Sequence, residues 1–335
     1  MEDRHAWERA GAFEVLPGVH RIPLPLPNDG LKAVNVYAIA DGENVVLIDA
    51  GWALADAEDV LARGLGAIGY ELRDIREFLV THMHRDHYTQ AVTLRRRFGN
   101  RIALGEGERA ALEAVLTGSS DRGLDDLRAC GAGALADELA AAHLDVDLTD
   151  WELPDRWLPD GVDLPLQTRS LRVIATPGHT RGHVVYHDPQ HGALFAGDHV
   201  LPHITPSIAV EPHRPHSPLR NYLASLQLIR ALPDARLLPA HGPVTESVHD
   251  RIEQLLAHHD QRLTDTAHAV DSGASTAYEV AFALPWTRRK TRFADLDLFN
   301  RVLAVHETMA HLRVLVERDW LTETVEDGVS RFARV

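Results

Sequence analysis

Residues 81–87 read Thr-His-Met-His-Arg-Asp-His and place His82, His84, Asp86 and His87 in one short run. Just before it, Phe78-Leu79-Val80 forms an apolar stretch that reads as a buried strand. Just after it, Tyr88 to Phe98 carries the spacing of an amphipathic helix. Four metal-competent side chains therefore fall at a strand-to-helix turn, where they can point into one space. Imidazole and carboxylate donors suit a hard or borderline cation such as zinc, iron or manganese.

The chain holds 21 His, so an isolated His-x-His pair arises easily by chance and reads as surface decoration. The downstream partners defeat that reading. Thr176-Pro177-Gly178-His179-Thr180 follows the apolar stretch Leu171 to Ala175, Leu194 to Gly197 ends in Asp198, and Leu237 to Ala240 ends in His241. Each candidate sits just past the C-terminal end of an apolar strand, where open sheets build sites.

These residues resemble the metallo-β-lactamase superfamily, whose five motifs are matched in order. They are Asp49 in Val-Leu-Ile-Asp-Ala-Gly, the His82–His87 cluster, His179, Asp198 and His241, spread over residues 19–245. The resemblance implies a fold of class α/β, a four-layer αββα sandwich, and two divalent metal ions, zinc first with iron or manganese as alternatives. It assigns His82, His84 and His179 to one ion, and Asp86, His87 and His241 to the other. Asp198 would bridge the two, and Asp49 would support the ligand loop through hydrogen bonds. Asp198 stands where antibiotic-degrading members usually carry Cys, and the sole cysteine, Cys130, lies far from every motif. His84 stands where the flavodiiron branch carries Glu. What remains resembles the glyoxalase II-like hydrolases with a full two-metal site.

The implied reaction is hydrolysis by a metal-bridging hydroxide, which needs no Ser or Cys nucleophile. Asp86 would orient the hydroxide and shuttle its proton. The first expectation is a thioesterase acting on an acyl-glutathione, acyl-coenzyme A or carrier-bound acyl group. An endoribonuclease or phosphodiesterase is the second reading, a lactonase the third, and a metal-binding protein with little turnover belongs to a different class.

Composition bounds the partners. A chain of 335 residues has room for one large core and a small second domain. A net charge of −15 argues against a general nucleic-acid binder, since phosphate binding is driven by clustered Lys and Arg, although a local basic patch stays open. One Cys allows no intramolecular disulfide, the start carries no signal pattern, and no apolar run spans a membrane. The expectation is a cytoplasmic enzyme with a small-molecule substrate, and a homodimer is left open.

Alternating strand, turn and helix over residues 19–104 predicts a layered α/β arrangement, with a helix over Ala53 to Leu65 ended by Gly64 and Gly66. Residues 106–150 read as a helical insert, with a second helix from Asp121 to Ala142, serving either as surface decoration or as a wall of the cleft. Asp150 to Asp163 reads as an ordered loop. The Pro- and His-rich stretch after Asp198 reads as a loop beside the site, with His203 a substrate-contact candidate and most of its histidines solvated.

The catalytic domain is predicted to span 1–245. Over 246–335 the pattern changes to helices at Ser247 to Val270, Ala274 to Leu284 and Asp295 to Arg318, then a hairpin across Glu326-Asp327-Gly328. Gly273 to Ala281 resembles the start of the winged-helix-like C-terminal domain of lactamase-β-like hydrolases, which implies a lid more than a DNA reader. Between its helices, Arg288, Arg289, Lys290 and Arg292 read either as a solvated face or as the holder of a substrate's anionic tail.

Overall fold

The computed structural model describes residues 5–27, 30–118, 123–142, 148–208, 217–287 and 289–335. Strands β1 (Phe13–Leu16), β2 (Val19–Pro25), β3 (Ala33–Asp41) and β4 (Asn44–Ile48) form an antiparallel meander. Helix α1 (Ala55–Ala67), strand β5 (Ile75–Val80), helix α2 (Arg85–Phe98) and strand β6 (Arg101–Gly105) follow, and the sheet continues in parallel. Helices α3 (Arg109–Leu116), α4 (Leu124–Ala129) and α5 (Gly133–Ala141) precede β7 (Arg156–Leu158), which completes a seven-stranded sheet in chain order.

The second sheet has the order β12-β11-β10-β9-β8. It is built from β8 (Asp163–Pro165), β9 (Ser170–Ala175), β10 (Val184–Asp188), β11 (Ala193–Gly197) and, after helix α6 (Pro218–Arg230), β12 (Arg236–Pro239).

Strand side chains alternate between faces, and here the alternation divides them among three cores. Phe78 and Val80 of β5 pack with Leu61 of α1 and Val92 of α2. Leu79, between them in sequence, packs instead with Val173, Tyr186 and Phe195 of the second sheet. On that sheet's far face, Val185 and Leu194 pack with Tyr222 and Leu226 of α6. Three apolar interfaces in succession make the four-layer αββα sandwich that the resemblance implies. In the sheet–sheet core Phe195 meets Tyr37 edge-on at 5.4 Å, and Phe195→Ala is expected to cost about 3–5 kcal/mol.

The C-terminal helices α7 (Val248–Asp271), α8 (Ala277–Ala283) and α9 (Leu298–Glu317) join the outer core rather than forming one apart. Helix α9 buries residues around its whole girth, as a helix enclosed by neighbours must. The chain ends in a hairpin of β13 (Leu321–Glu326) and β14 (Val329–Arg334), with Glu326 paired to Val329 across the turn. No helix among the described residues is long and apolar enough to cross a membrane.

Four local expectations need correction. Helix α1 runs through Gly64 and Gly66 to Ala67. A Cβ at Gly64 would lie 2.8 Å from Ile22 Cγ2, so that glycine marks close packing of helix on strand and not a helix end. The helix read from Asp121 to Ala142 is two, α4 and α5, separated at Cys130–Ala132 so that Leu127 and Leu135 both reach the outer core; residues 121 and 122 fall outside the described residues. The loop from Asp150 contains β7, drawn into pairing by the exposed edge of β6. Helix α9 begins at Leu298 and not Asp295, because the Asp297 side chain accepts the Asn300 N–H at 2.9 Å and caps it.

Candidate metal centre

The C-terminal ends of β5, β9, β11 and β12 deliver seven polar side chains to one place. His82 follows β5, His84 caps α2, and Asp86 and His87 occupy the first turn of α2. His179 lies on the loop after β9, Asp198 directly after β11, and His241 two residues beyond β12. His84 Nδ1 sits 3.0 Å from both His82 Nε2 and His179 Nε2. On the other side, Asp86 Oδ2 lies 3.6 Å from His87 Nε2 and 3.4 Å from His241 Nε2. Asp198 spans the halves, with Oδ2 3.5 Å from His179 Nε2 and Oδ1 3.4 Å from His241 Nε2. Within each of the groups His82/His84/His179, His82/His87/Asp198 and Asp86/His87/His241, the donor atoms lie within 4.8 Å of one another.

Outer partners decide which ring nitrogen faces inward. His87 Nδ1 is 2.9 Å from Asp49 Oδ2, His179 Nδ1 is 2.7 Å from the Ser207 carbonyl, and His241 Nδ1 is 2.8 Å from the Ala33 carbonyl. A carboxylate or carbonyl only accepts, so each Nδ1 carries a proton and each Nε2 faces inward, where it offers a lone pair to a metal whenever it is unprotonated. His82 Nδ1 meets Thr81 Oγ1 at 3.1 Å, and that hydroxyl donates onward to Asp49. Asp49 also accepts the Thr81 backbone N–H at 2.8 Å and holds a left-handed φ of 60°. A non-glycine residue in that region is uncommon and costs energy, and it recurs at functional sites.

The donor set fits a cation. Lone pairs of His82 and His179 both aim at His84 Nδ1, and a single proton there satisfies only one of them. His87 Nε2, His241 Nε2 and Asp198 Oδ1 are buried without a hydrogen-bond partner. Buried polar atoms left in this state cost about 1–3 kcal/mol each, which a metal ion would relieve.

The halves differ electrostatically. Burial, helped by His179, pushes His84 down to about 4, and burial with repulsion from neighbouring imidazoles holds His82 well below its usual range. Burial would depress His87 too, but the carboxylates of Asp86, Asp49 and Asp198 outweigh it and lift the ring to about 10. Asp86 is lowered against burial by His87 and His241.

Other sequence candidates sit elsewhere. Arg289, Lys290 and Arg292 are exposed, and Arg292 pairs with Asp295 at 2.8 Å. No hydrogen bond or ion pair among the described residues joins these three to the cluster, and Arg288 falls outside those residues. His203 is exposed. His199, read among the solvated histidines, is fully buried because α6 covers it, with the Tyr222 hydroxyl donating to its carbonyl at 3.0 Å; His213 and His216 lie outside the described residues.

Sequence reading passed over three supports. Asn35 donates to the carbonyls of Pro239 and Gly242, which fixes the His241 loop. Thr176 and His183 hold the β9–β10 turn, and the only sequence signal for His183 was its place in Pro177-Gly178-His179-Thr180-Arg181-Gly182-His183.

The family model described as the metallo-beta-lactamase superfamily matches residues 29–241, well over half the chain. A Beta-lactamase-like protein 2 homolog of Caenorhabditis elegans is 32% identical over 152 residues, covering 44% of this chain and 49% of that protein. The chain spans about half the length of this and of other curated relatives it matches. An atrochrysone carboxyl ACP thioesterase of Aspergillus fumigatus is 21% identical over 72% of this chain and 45% of its own length. The crystal structure of a metallo-beta-lactamase family protein from Thermus thermophilus superposes with a TM-score of 0.78 at 27% identity, covering 96% of this chain and all of that one.

Proposed function

The chain belongs to the metallo-β-lactamase superfamily of hydrolases, and from that premise we propose that it is a two-metal thioesterase. His82, His84 and His179 would hold one divalent ion and Asp86, His87 and His241 the second, with Asp198 placed to be shared between them. Zinc is the first choice, with iron or manganese compatible with an all-nitrogen-and-oxygen donor set. The observation that carries the reading is Asp198, whose two oxygens lie 3.5 Å from His179 and 3.4 Å from His241 on opposite sides. Bound together, two such ions polarise a carbonyl or phosphoryl oxygen and ionise water at neutral pH.

The protein's own groups do the rest. In the metal-free protein Asp86 is held ionised by His87 and His241 against the pull of burial. It orients the attacking water, takes its proton and returns that proton to the leaving thiolate as the carbon–sulfur bond breaks. Residues 246–335 act as a winged-helix-like lid, and the run Arg288, Arg289, Lys290 and Arg292 holds the anionic tail of the acyl carrier. Support for a thioester comes from the carrier-protein thioesterase among the relatives and from a net charge of −15, which disfavours polynucleotides.

Phosphodiester hydrolysis is the second reading, supported by three helices and a terminal hairpin over 248–334, an order that resembles a winged-helix module. One panel separates the two. Metal-loaded protein is assayed on an acyl-glutathione, an acyl-coenzyme A, a lactone, a phosphodiester and RNA. Chelator-sensitive turnover of a thioester is expected, and turnover confined to the phosphodiester or RNA would overturn the thioesterase reading.

A further inference from the structure

His183 is fully buried and stands outside the seven residues of the centre. Its Nε2 lies 3.1 Å from the backbone nitrogen of Asp198, which can only donate. Nε2 is therefore unprotonated, so in the neutral ring the proton is on Nδ1, which donates to Thr176 Oγ1 at 2.9 Å. The tautomer is fixed at both ends. The ring also lies over His82, with centroids 5.0 Å apart and planes 30° apart. Gly197 makes the approach feasible. Its φ is +50°, and a Cβ there would fall 2.7 Å from both His183 Nε2 and Thr81 Oγ1. The Thr176 backbone N–H returns to the His183 carbonyl at 2.8 Å, and the Val184 N–H reaches the Thr81 carbonyl at 2.9 Å. One imidazole thus ties together the loops carrying His82, His179 and Asp198.

We infer that His183 is the positioning residue of the bridging carboxylate: by accepting the Asp198 N–H it sets the backbone from which that carboxylate spans both halves of the centre. The inference rests on the two-metal reading for its effect on metals, and its hydrogen bond can be tested without any metal. The role is one of positioning, since His183 offers no free nitrogen to substrate or ion.

Zinc affinity is measured by competition with a chromophoric chelator, with cobalt substitution as a spectroscopic check on the bridge. His183→Phe keeps a ring over His82 and removes the acceptor, and the weaker ion should bind about 10–100-fold less tightly, the usual cost of losing an outer partner. The cobalt spectrum should lose its two-ion coupling. His183→Gln returns an acceptor near the Nε2 position and should recover most of the affinity. Wild-type affinity in His183→Phe, or equal loss in both variants, would overturn the inference, because packing alone would then account for the residue. If His183→Phe does not fold, amide exchange at Asp198 in the wild type still decides the inference.

Amide exchange in metal-free protein supplies the independent reading. The Asp198 N–H should be protected in the wild type and exchange rapidly in His183→Phe, whereas rapid exchange in the wild type would overturn the inference. If the wild type binds no pair of ions, the two-metal function falls, and amide exchange still decides the role of His183.

Discussion

The run His82–His87 and the run Arg288–Arg292 are both dense in side chains able to bind a ligand, and the fold treats them in opposite ways. In the first, His82 leans on Thr81 and His87 on Asp49, so a buried partner chooses the direction of each ring. In the second, Arg289 and Lys290 point into solvent and Arg292 is already paired with Asp295. An exposed pair of that kind is worth about 0.2–1 kcal/mol and fixes little. Dense chemistry becomes a site when other residues orient it, and that difference orders the expected effects of mutation.

The largest effect belongs to the residue shared by both halves. Asp198→Ala should abolish two-ion stoichiometry and lower kcat/KM by more than the roughly 100-fold typical of an outer partner, measured by elemental analysis beside steady-state kinetics. Full occupancy with unimpaired turnover would dissolve the contrast with the arginine run. Next comes Asp49→Asn, which tolerates the left-handed backbone but exchanges an acceptor for a donor facing His87. Metal affinity should fall about 10–100-fold with the fold intact by circular dichroism.

A smaller effect sharpens the comparison within the centre. In metal-free protein His87, lifted to about 10, carries a proton at neutral pH, and His241 is raised as well. A metal ion must displace those protons, so affinity for the Asp86/His87/His241 half should rise with pH between 6 and 9, by up to about tenfold per unit for each proton lost. The His82/His84/His179 half, with all three rings lowered, should show little change over the same range. Calorimetry in buffers of different ionisation enthalpy reads the protons released, and none released on filling the second half would contradict the assignment. Smallest of all, replacing Arg288, Arg289, Lys290 and Arg292 with Gln should raise KM for an anionic thioester a few-fold and leave metal content unchanged. An unchanged KM would return the run to a solvated face.

The same contrast explains what could be read from the sequence. All seven candidate ligands were legible because each follows an apolar strand in a fixed order, and strand ends place side chains reliably. The layered α/β class was legible from the succession of strands and helices over residues 19–104, whereas the division of Phe78 and Val80 from Leu79 between two cores appears only in the packing. His183 and Asn35 were not legible, because their roles arise from contacts between strands far apart in sequence: Asn35 reaches the carbonyl of Pro239, 204 positions away. The single helix read from Asp121 to Ala142 missed the break at Cys130 because Ala- and Leu-rich sequence favours helix everywhere, and only packing against the outer core sets where it turns. Gly64 misled for the opposite reason, being small to admit Ile22 and not to end a helix.

The central claim is that these seven side chains hold two ions through one shared carboxylate. A crystal structure of protein purified with its metal, with anomalous data collected at the metal's absorption edge, tests it directly. The account predicts two peaks about 3.5–4 Å apart, each about 2.0–2.2 Å from its nitrogen and oxygen donors, with Asp198 touching both. A single peak, or two that Asp198 does not join, would contradict it.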